Sequence, residues 1–347
     1  MPNLTINGFG RIGRLSLRAW YQHHQKHASL VAINTSGSMD LVGWAHLLKY
    51  DTTYGMFQGA ISIEEHQAAK SCTAADSLLG FLLIDGKYKI PVLAERNPEL
   101  IPWAKYQVDT VLECTGAFLT TEKASLHIKA GARKVLLSAP AKDDSIPTIV
   151  KGVTQETEGL IMSNASCTTN CISPIISILQ SAFGVEKAML NTIHSYTDDQ
   201  NLQDGSHQDL RRARAGAANI TPTTTGAAKT AGKVIPGLNN LFDGLSIRVP
   251  TLTGSLADIT AIVSKQVTAQ EINQAFLAAA KSPHWESIIA TTQEPLVSSD
   301  IIGRSESAII DLTLTQVVGG NLVKIIAWYD NEWGFSNRLV EVAINLS

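Results

Sequence analysis

The chain has 347 residues, 44% hydrophobic and 17% charged, which is long enough for two cores and too apolar for a disordered protein. Its net charge of -3 offers no electrostatic basis for binding nucleic acid or an anionic membrane, so any basic site must be local. No run of about 18 apolar residues occurs, which argues against a membrane span.

In chain order, LTING (4–8) predicts a strand and 11–21 a helix, with a second strand at SLVAIN (29–34) and a helix at about 39–49. A folded motif that begins this early leaves no room for a secretory or transit leader. Between about 55 and 95 the short alternating runs ISIEEH, GFLLIDG and YKIPVLA predict an antiparallel extension, with a long surface hairpin over 61–85. TVLECTG (110–116) and KVLLSAP (134–140) predict two more buried strands around a helix at 121–130. Continuous apolar strands alternating with helices imply a doubly wound parallel sheet. The stretch over about 195–240 reads as a long functional loop. LSIRVP, SLADITAIVSK, SAIIDLTLTQVV and LVKIIAWYD, with helices at about 268–281 and 334–344, then predict an α+β unit with a mostly antiparallel sheet.

Gly8, Gly10 and Gly13 form GxGxxG between the first strand and its helix. The three serve a tight turn, close approach of backbone to a pyrophosphate, and close helix–strand packing, with phosphates facing free N–H groups. At the end of the second strand, where an NAD site places a carboxylate for the ribose 2′-OH, this chain has Asn34 and Thr35. A carboxylate would repel a 2′-phosphate, whereas hydroxyls and backbone N–H groups can hold one. The position favours NADP, and Thr35 as a neutral turn residue in an NAD enzyme remains the alternative.

In SNASCTTNC, Cys167 stands among N-cap and first-turn residue types just before apolar residues at helical spacing. A cysteine there is expected to have its pKa lowered by the helix dipole and free N–H groups. Pro174 calls for a kink or local adjustment in that helix. Cys171 reads as a buried, inert neighbour, and the spacing of the two is wrong for a redox pair. With Cys72 and Cys114 they form no disulfide framework, so a reducing cytoplasm is the expected compartment. His194, ending the strand-like run MLNTI, is the candidate base, although spacing alone does not establish the pairing. Arg211, Arg212, Arg214 and Arg248, with TPTTTG (221–226), supply the charged forks, hydroxyls and N–H groups of an anion site; for each arginine a surface or subunit contact is the alternative.

The motifs INGFGRIGR, LLKYD, SNASCTTNC, HSYTDDQ, DLRRARAGAANITPTTTGAAK, RVPT and WYDNEWGFS run in order from about residue 3 to 340, and together they resemble glyceraldehyde-3-phosphate dehydrogenase. The resemblance implies that Cys167 attacks the aldehyde, that His194 activates the thiol, and that phosphate cleaves the resulting thioester to 1,3-bisphosphoglycerate. It implies inorganic-phosphate contacts at Ser166, Thr168 and Gly226 with Thr225 beside them, and substrate-phosphate contacts at Thr197, Arg212 and Arg248. On the cofactor side it implies Arg11 and Ile12 in the pyrophosphate turn, Arg96 near the adenosine, Ser138 toward the nicotinamide, and Asn331 as the carboxamide anchor, with Thr115 and Gly116 also binding the cofactor. It also implies a dinucleotide-binding domain over 1–166, joined by the C-terminal helix 334–347, a catalytic domain over 167–333, and a homotetramer; no metal is expected.

Two positions depart from the NAD-specific members. Thr35 replaces Asp, and Gly205-Ser206 replaces Leu-Pro, with Ser206 offered to a neighbouring subunit's cofactor as in the NADP-using members. NADP preference with dual use of NAD left open follows. The rivals are erythrose-4-phosphate dehydrogenase, which differs around PTTTGAAK, a non-phosphorylating aldehyde dehydrogenase, which needs no second anion site, and a catalytically silent binding or scaffold protein on the same fold.

Overall fold

Strand and amphipathic helix alternate from the first residues of the computed structural model, which describes residues 1–154 and 158–346. The chain divides into two compact units, one holding Met1–Ile149, the stretch that ends at Ala165 and the C-terminal stretch from Ser336, the other holding Ser166–Phe335 with a short segment from Val150.

The first unit contains β1 (Asn3–Asn7), α1 (Arg11–Ala19), β2 (Ser29–Thr35), α2 (Leu41–Lys49), the two-residue strands β3 (Tyr50–Asp51) and β4 (Gly55–Met56), β5 (Ile61–Glu65), β6 (Leu78–Ile84), β7 (Tyr88–Ala94), β8 (Thr110–Glu113), α3 (Thr121–Lys129), β9 (Lys134–Leu137) and β10 (Ile161–Ser163). Its sheet runs β10-β9-β8-β1-β2-β7-β6-β5. The pairs from β10 through β7 are parallel, while β6 and β5 extend the sheet antiparallel, β5 and β6 forming the hairpin expected over 61–85. Buried apolar side chains explain the parallel part: Leu4, Ile6, Val111, Leu112, Val135 and Leu136 are at most 1% exposed, as strands covered on both faces require. Strand order reverses on the two sides of β1, the kind of switch point at which α/β sheets open a ligand crevice.

The second unit contains α4 (Cys167–Phe183), β11 (Val185–Ser195), β12 (Thr221–Thr224), α5 (Ala227–Val234), β13 (Phe242–Val249), β14 (Ser255–Val263), α6 (Ala269–Ala280), β15 (Ile289–Thr292), β16 (Ala308–Asp311), β17 (Gln316–Val318) and β18 (Leu322–Tyr329); α7 (Trp333–Leu346) follows and belongs to the first unit from Ser336. The sheet order is β12-β13-β11-β14-β18-β16-β15, with β17 also on β18. All of its pairings are antiparallel except β11 with β13 and β15 with β16. Ile172, Ile175, Ile176 and Leu179 of α4 lie in one core with Leu190, Ala257, Ile259 and Ile325, so the apolar stripe of α4 anchors that helix and sets its first turn.

Several boundaries differ from expectation for local reasons. The helix expected over 11–21 is α-helical to Ala19 and then continues as a π turn, Trp20–His24. The strand expected to reach residue 116 stops at Glu113, whose carboxylate takes the N–H of Thr115 at 2.8 Å and turns the chain; the strand at 134–140 stops at Leu137. SAIIDLTLTQVV is broken into β16 and β17 because the Asp311 carboxylate accepts from the Thr313 N–H and hydroxyl at 3.2 and 2.7 Å. The supposed loop over 195–240 contains β12 and α5. Helix α4 runs through Pro174. Ser347, the last residue of the helix expected over 334–347, lies outside the described residues.

Candidate active site

In the first unit, the glycines shape the turn that joins β1 to α1. Gly8 has φ of +94°, and a Cβ there would come within 2.7 Å of Thr115 Cγ2. A Cβ on Gly13 would lie 2.1 Å from the Gly8 carbonyl oxygen, so only glycine lets α1 pack this close to the strand. Over Gly10 there is open space. Helix α1 has no side-chain cap and no acidic residue in its first turn, so the N–H groups of Arg11 and Ile12 suit a pyrophosphate. The Arg11 side chain itself is engaged elsewhere, donating to Asp51 Oδ2 at 2.6 Å.

Three neighbouring strand ends carry a buried polar chain that sequence reading missed. Register places Asn7 beside both Asn34 and Glu113. Asn34 Nδ2 donates to Asn7 Oδ1 at 2.7 Å, and Asn7 Nδ2 donates to Glu113 Oε2 at 2.6 Å. Trp103 Nε1–H donates to His127 Nδ1 at 3.0 Å, which leaves the imidazole proton on Nε2 to donate to Glu113 at 2.9 Å. Glu113 also holds the N–H and hydroxyl of Thr115, so Thr115 and Gly116 start from a fixed base. Asn34 exchanges hydrogen bonds with the Glu95 backbone at 2.8 and 3.0 Å, steadying the segment that presents exposed Arg96. Ser138 is partly exposed at the end of β9.

Thr35 behaves differently from the outward hydroxyl expected of it. It is 2% exposed and donates inward to the Leu93 carbonyl at 3.0 Å, while accepting the Gly37 N–H at 3.2 Å. Its contribution to the surface is therefore the charge it lacks, and the exposed hydroxyls there belong to Ser36 and Ser38.

In the second unit, Cys167 is the first residue of α4. The turn before it is set by Ala165, a non-glycine residue at φ +56°, and by Ser166, whose hydroxyl caps the helix by accepting the Thr169 N–H at 3.1 Å. His194, next to last in β11, brings Nε2 to 3.4 Å from Cys167 Sγ. His194 Nδ1 lies 2.7 Å from the Ser195 carbonyl, a partner that only an N–H can satisfy, so Nε2 presents its lone pair to the sulfur. The parallel register of β11 and β13 pairs His194 with Arg248, whose guanidinium is 3.4 Å from His194 Nδ1. Burial, and then the Arg248 cation, push the imidazole pKa down to about 3.

The thiol departs from expectation. Burial pushes the Cys167 pKa up, and this outweighs the pull of Arg248 and of the Thr168 hydroxyl and N–H. A helix N-terminus lowers a thiol pKa, but here it acts on a half-buried sulfur whose surroundings disfavour the anion. Cys171 is fully buried, as expected.

The residues expected at the two anion sites are joined by groups that sequence reasoning missed. Arg248 Nη1 donates to Thr197 Oγ1 at 2.7 Å, and Arg212 Nε to Thr223 Oγ1 at 2.9 Å. Both lead to Asp199, which accepts from the Thr197 hydroxyl and from Arg212 Nη1 at 2.7 Å. Although burial raises the Asp199 pKa, Thr197 and the two guanidiniums outweigh it and hold the carboxyl below its usual range. Arg214 instead pairs with Asp204 at 2.7 Å, and Arg211 is exposed. On the other side of the cysteine, Thr169 Oγ1 reaches the Ala227 carbonyl at 3.4 Å, joining the first turns of α4 and α5. Gly226 is the N-cap of α5 with open space around it, and the Thr225 hydroxyl accepts the Ala227 N–H at 3.2 Å. Tyr329, also missed, places its hydroxyl 3.0 Å from Thr168 and 2.9 Å from Thr192, with its ring edge-on to His194. Ser206 is exposed, and its side chain makes no hydrogen bond among the described residues.

Comparison with known proteins agrees along nearly the whole chain. Residues 2–121 match the family model for the glyceraldehyde 3-phosphate dehydrogenase NAD binding domain, and residues 166–331 match that for its C-terminal domain. The chain is 46% identical to chloroplastic glyceraldehyde-3-phosphate dehydrogenase A of Chlamydomonas reinhardtii, covering 98% of this chain and 87% of that protein. It is 45% identical to the glyceraldehyde-3-phosphate dehydrogenase of Zymomonas mobilis, over 99% and 98% respectively. It is 46% identical to that of Streptomyces coelicolor, over 98% and 96%. With the thiol of Cys167 beside the lone-pair nitrogen of His194, and with these matches, the chain belongs to the glyceraldehyde-3-phosphate dehydrogenase family of NAD(P)-dependent oxidoreductases.

Proposed function

We propose that this protein catalyses the phosphorylating oxidation of D-glyceraldehyde 3-phosphate to 1,3-bisphosphoglycerate, and its reverse, with Cys167 as nucleophile and His194 as base. The observation that carries the reading is the 3.4 Å approach of His194 Nε2 to Cys167 Sγ, with the imidazole proton committed to Ser195 on the far side. His194 takes the thiol proton as sulfur attacks the aldehyde carbon and returns it to the carbonyl oxygen, giving a hemithioacetal on Cys167; loss of hydride from that carbon, with the hydroxyl proton passing to His194, leaves a thioester. A bound nicotinamide dinucleotide supplies the hydride acceptor. Inorganic phosphate then attacks the Cys167 thioester and sulfur leaves. The thioester retains the free energy that direct hydrolysis would dissipate.

Two anions require two sets of donors. Thr197, Arg212 and Arg248 hold the substrate phosphate, and Ser166, Thr168, Thr225 and Gly226 hold the attacking phosphate near the first turns of α4 and α5. Residues 1–166 with the C-terminal helix serve the dinucleotide, through Gly8, Gly10, Arg11, Ile12 and Gly13 at the pyrophosphate and Thr115, Gly116 and Ser138 toward the nicotinamide. Asn331 contacts the carboxamide.

We assign NADP as the preferred dinucleotide, with NAD also accepted. No carboxylate stands at Thr35, and exposed Arg96 lies on the segment held by Asn34, so a 2′-phosphate has a cation at hand and lacks the carboxylate that an NAD site would set against it. Ser206 serves the same phosphate across a homotetramer. All four cysteines are free thiols, in keeping with a reducing cytoplasm.

Initial rates with glyceraldehyde 3-phosphate, with and without inorganic phosphate and with NADP and NAD in parallel, test these assignments. Phosphate-dependent turnover that favours NADP is expected. A preference for NAD would remove the cofactor assignment, and absence of phosphate dependence would remove the reaction.

A further inference from the structure

A buried hydroxyl joins the end of β11 to the residues after β18. Ser255 Oγ accepts the Ser195 N–H at 3.1 Å and lies 2.8 Å from Asn331 Oδ1. Ser255 is 0% exposed, and its own proton has one acceptor among the described residues, the Asn331 side-chain oxygen. Thr253 Oγ1 shares its proton between Asp330 Oδ1 at 2.9 Å and the same Asn331 oxygen at 3.2 Å. Asp330 is itself fixed, accepting the N–H groups of Gly303 at 2.9 Å and Trp333 at 2.8 Å. Two hydroxyls thus converge on one end of the Asn331 amide, and its NH2 meets no protein acceptor among the described residues.

Turning the amide over would aim its N–H groups at hydroxyls and leave the Ser255 proton without an acceptor in the interior. An unmet buried donor is costly enough to hold one orientation. We propose that Ser255 and Thr253 are positioning residues that lock the Asn331 amide with its NH2 presented, so that the site selects the carbonyl oxygen of the dinucleotide carboxamide and not its amino group. The inference rests on Asn331 being the carboxamide contact.

The test is the affinity, by quenching of tryptophan fluorescence, for the natural dinucleotide and for its 3-acetylpyridine analogue, which keeps the carbonyl oxygen and replaces NH2 with methyl. The wild-type protein should bind the two within about threefold of each other, because only an acceptor is read. Ser255→Ala should weaken the analogue by about tenfold and the natural compound by less, since a freed amide can turn over and accept from the ligand's amino group, which only the natural compound carries. Asn331→Asp, which presents an acceptor, should lose the analogue more than the natural compound. A wild-type loss of about tenfold or more on the analogue would overturn the proposal, because the ligand's amino group would then be what is recognised. Unchanged affinities in a folded Ser255→Ala protein would overturn it as well. Failure of the wild-type protein to bind either compound would remove the cofactor assignment and this inference with it, whereas binding with the wrong pattern removes this inference alone.

Discussion

Replacing His194 with Asn removes the base placed, among the described residues, to take the Cys167 proton, while keeping a side chain of similar size. An ordinary thiol with a pKa of about 8.5 is roughly 3% ionised at pH 7, so loss of the base costs at least about 30-fold through ionisation alone. Burial pushes the Cys167 pKa up, which makes the neutral-pH thiolate scarcer still. Adding the loss of proton transfer in the transition state, the expected fall in the acylation rate is about 10²- to 10⁴-fold. The assay is the pre-steady-state burst of reduced cofactor on rapid mixing with the triose phosphate, measured across pH. A raised thiol pKa means that the anion appears only as pH climbs toward that value, so the variant's burst rate should rise about tenfold per pH unit through the mildly alkaline range. The wild-type enzyme, whose base is already deprotonated with a pKa near 3, should show a shallower slope there. A variant within about fivefold of wild type at pH 7, or one whose burst ignores pH, would refute the assignment of His194 as base.

Three further outcomes are expected. Arg248→Ala deletes a charged donor bonded to Thr197 at 2.7 Å, and should raise KM for the triose phosphate by about 10- to 100-fold in steady-state assays, well beyond its effect on dinucleotide affinity. Thr35→Asp places a carboxylate at the end of β2, and should lower kcat/KM with NADP by at least about tenfold while NAD is spared or improved; equal losses with both would point to a folding defect instead. Gly13→Ala would drive a Cβ to 2.1 Å from the Gly8 carbonyl, and should cost about 1–3 kcal/mol in denaturant unfolding together with weakened dinucleotide binding, whereas Gly10→Ala, facing open space, should leave stability nearly intact.

Much of the fold was legible because its signals are local. Apolar runs such as SLVAIN and KVLL can be buried only within a covered sheet, and GxGxxG announces its own turn. Boundaries were less legible where a side chain competes for the backbone: Glu113 and Asp311 end or break their strands by capturing N–H groups two residues on, and nothing in the apolar pattern marks that. The segment over 195–240 hid β12, whose strand character comes from pairing with β13, a partner distant in sequence.

The site divides in the same way. Sequence by itself determined the residue types and their order: a cysteine at a helix start, a histidine at a strand end, arginines and threonines enough for two anions, and no carboxylate at Thr35. Only the tertiary structure decided which of them meet. Parallel pairing of β11 with β13 sets Arg248 beside His194, and the Ser195 carbonyl selects the imidazole tautomer. The same packing raises the thiol pKa that the helix start had suggested would be low, and it turns the Thr35 hydroxyl inward. Asp199 and Tyr329 stand inside HSYTDDQ and WYDNEWGFS, but their roles, like that of Ser255, come from neighbours far away in the chain. The physical reason is that propensity and pattern act over a few residues, whereas burial, hydrogen-bond partnership and charge proximity are properties of the packed interior, which exists only after distant segments have met.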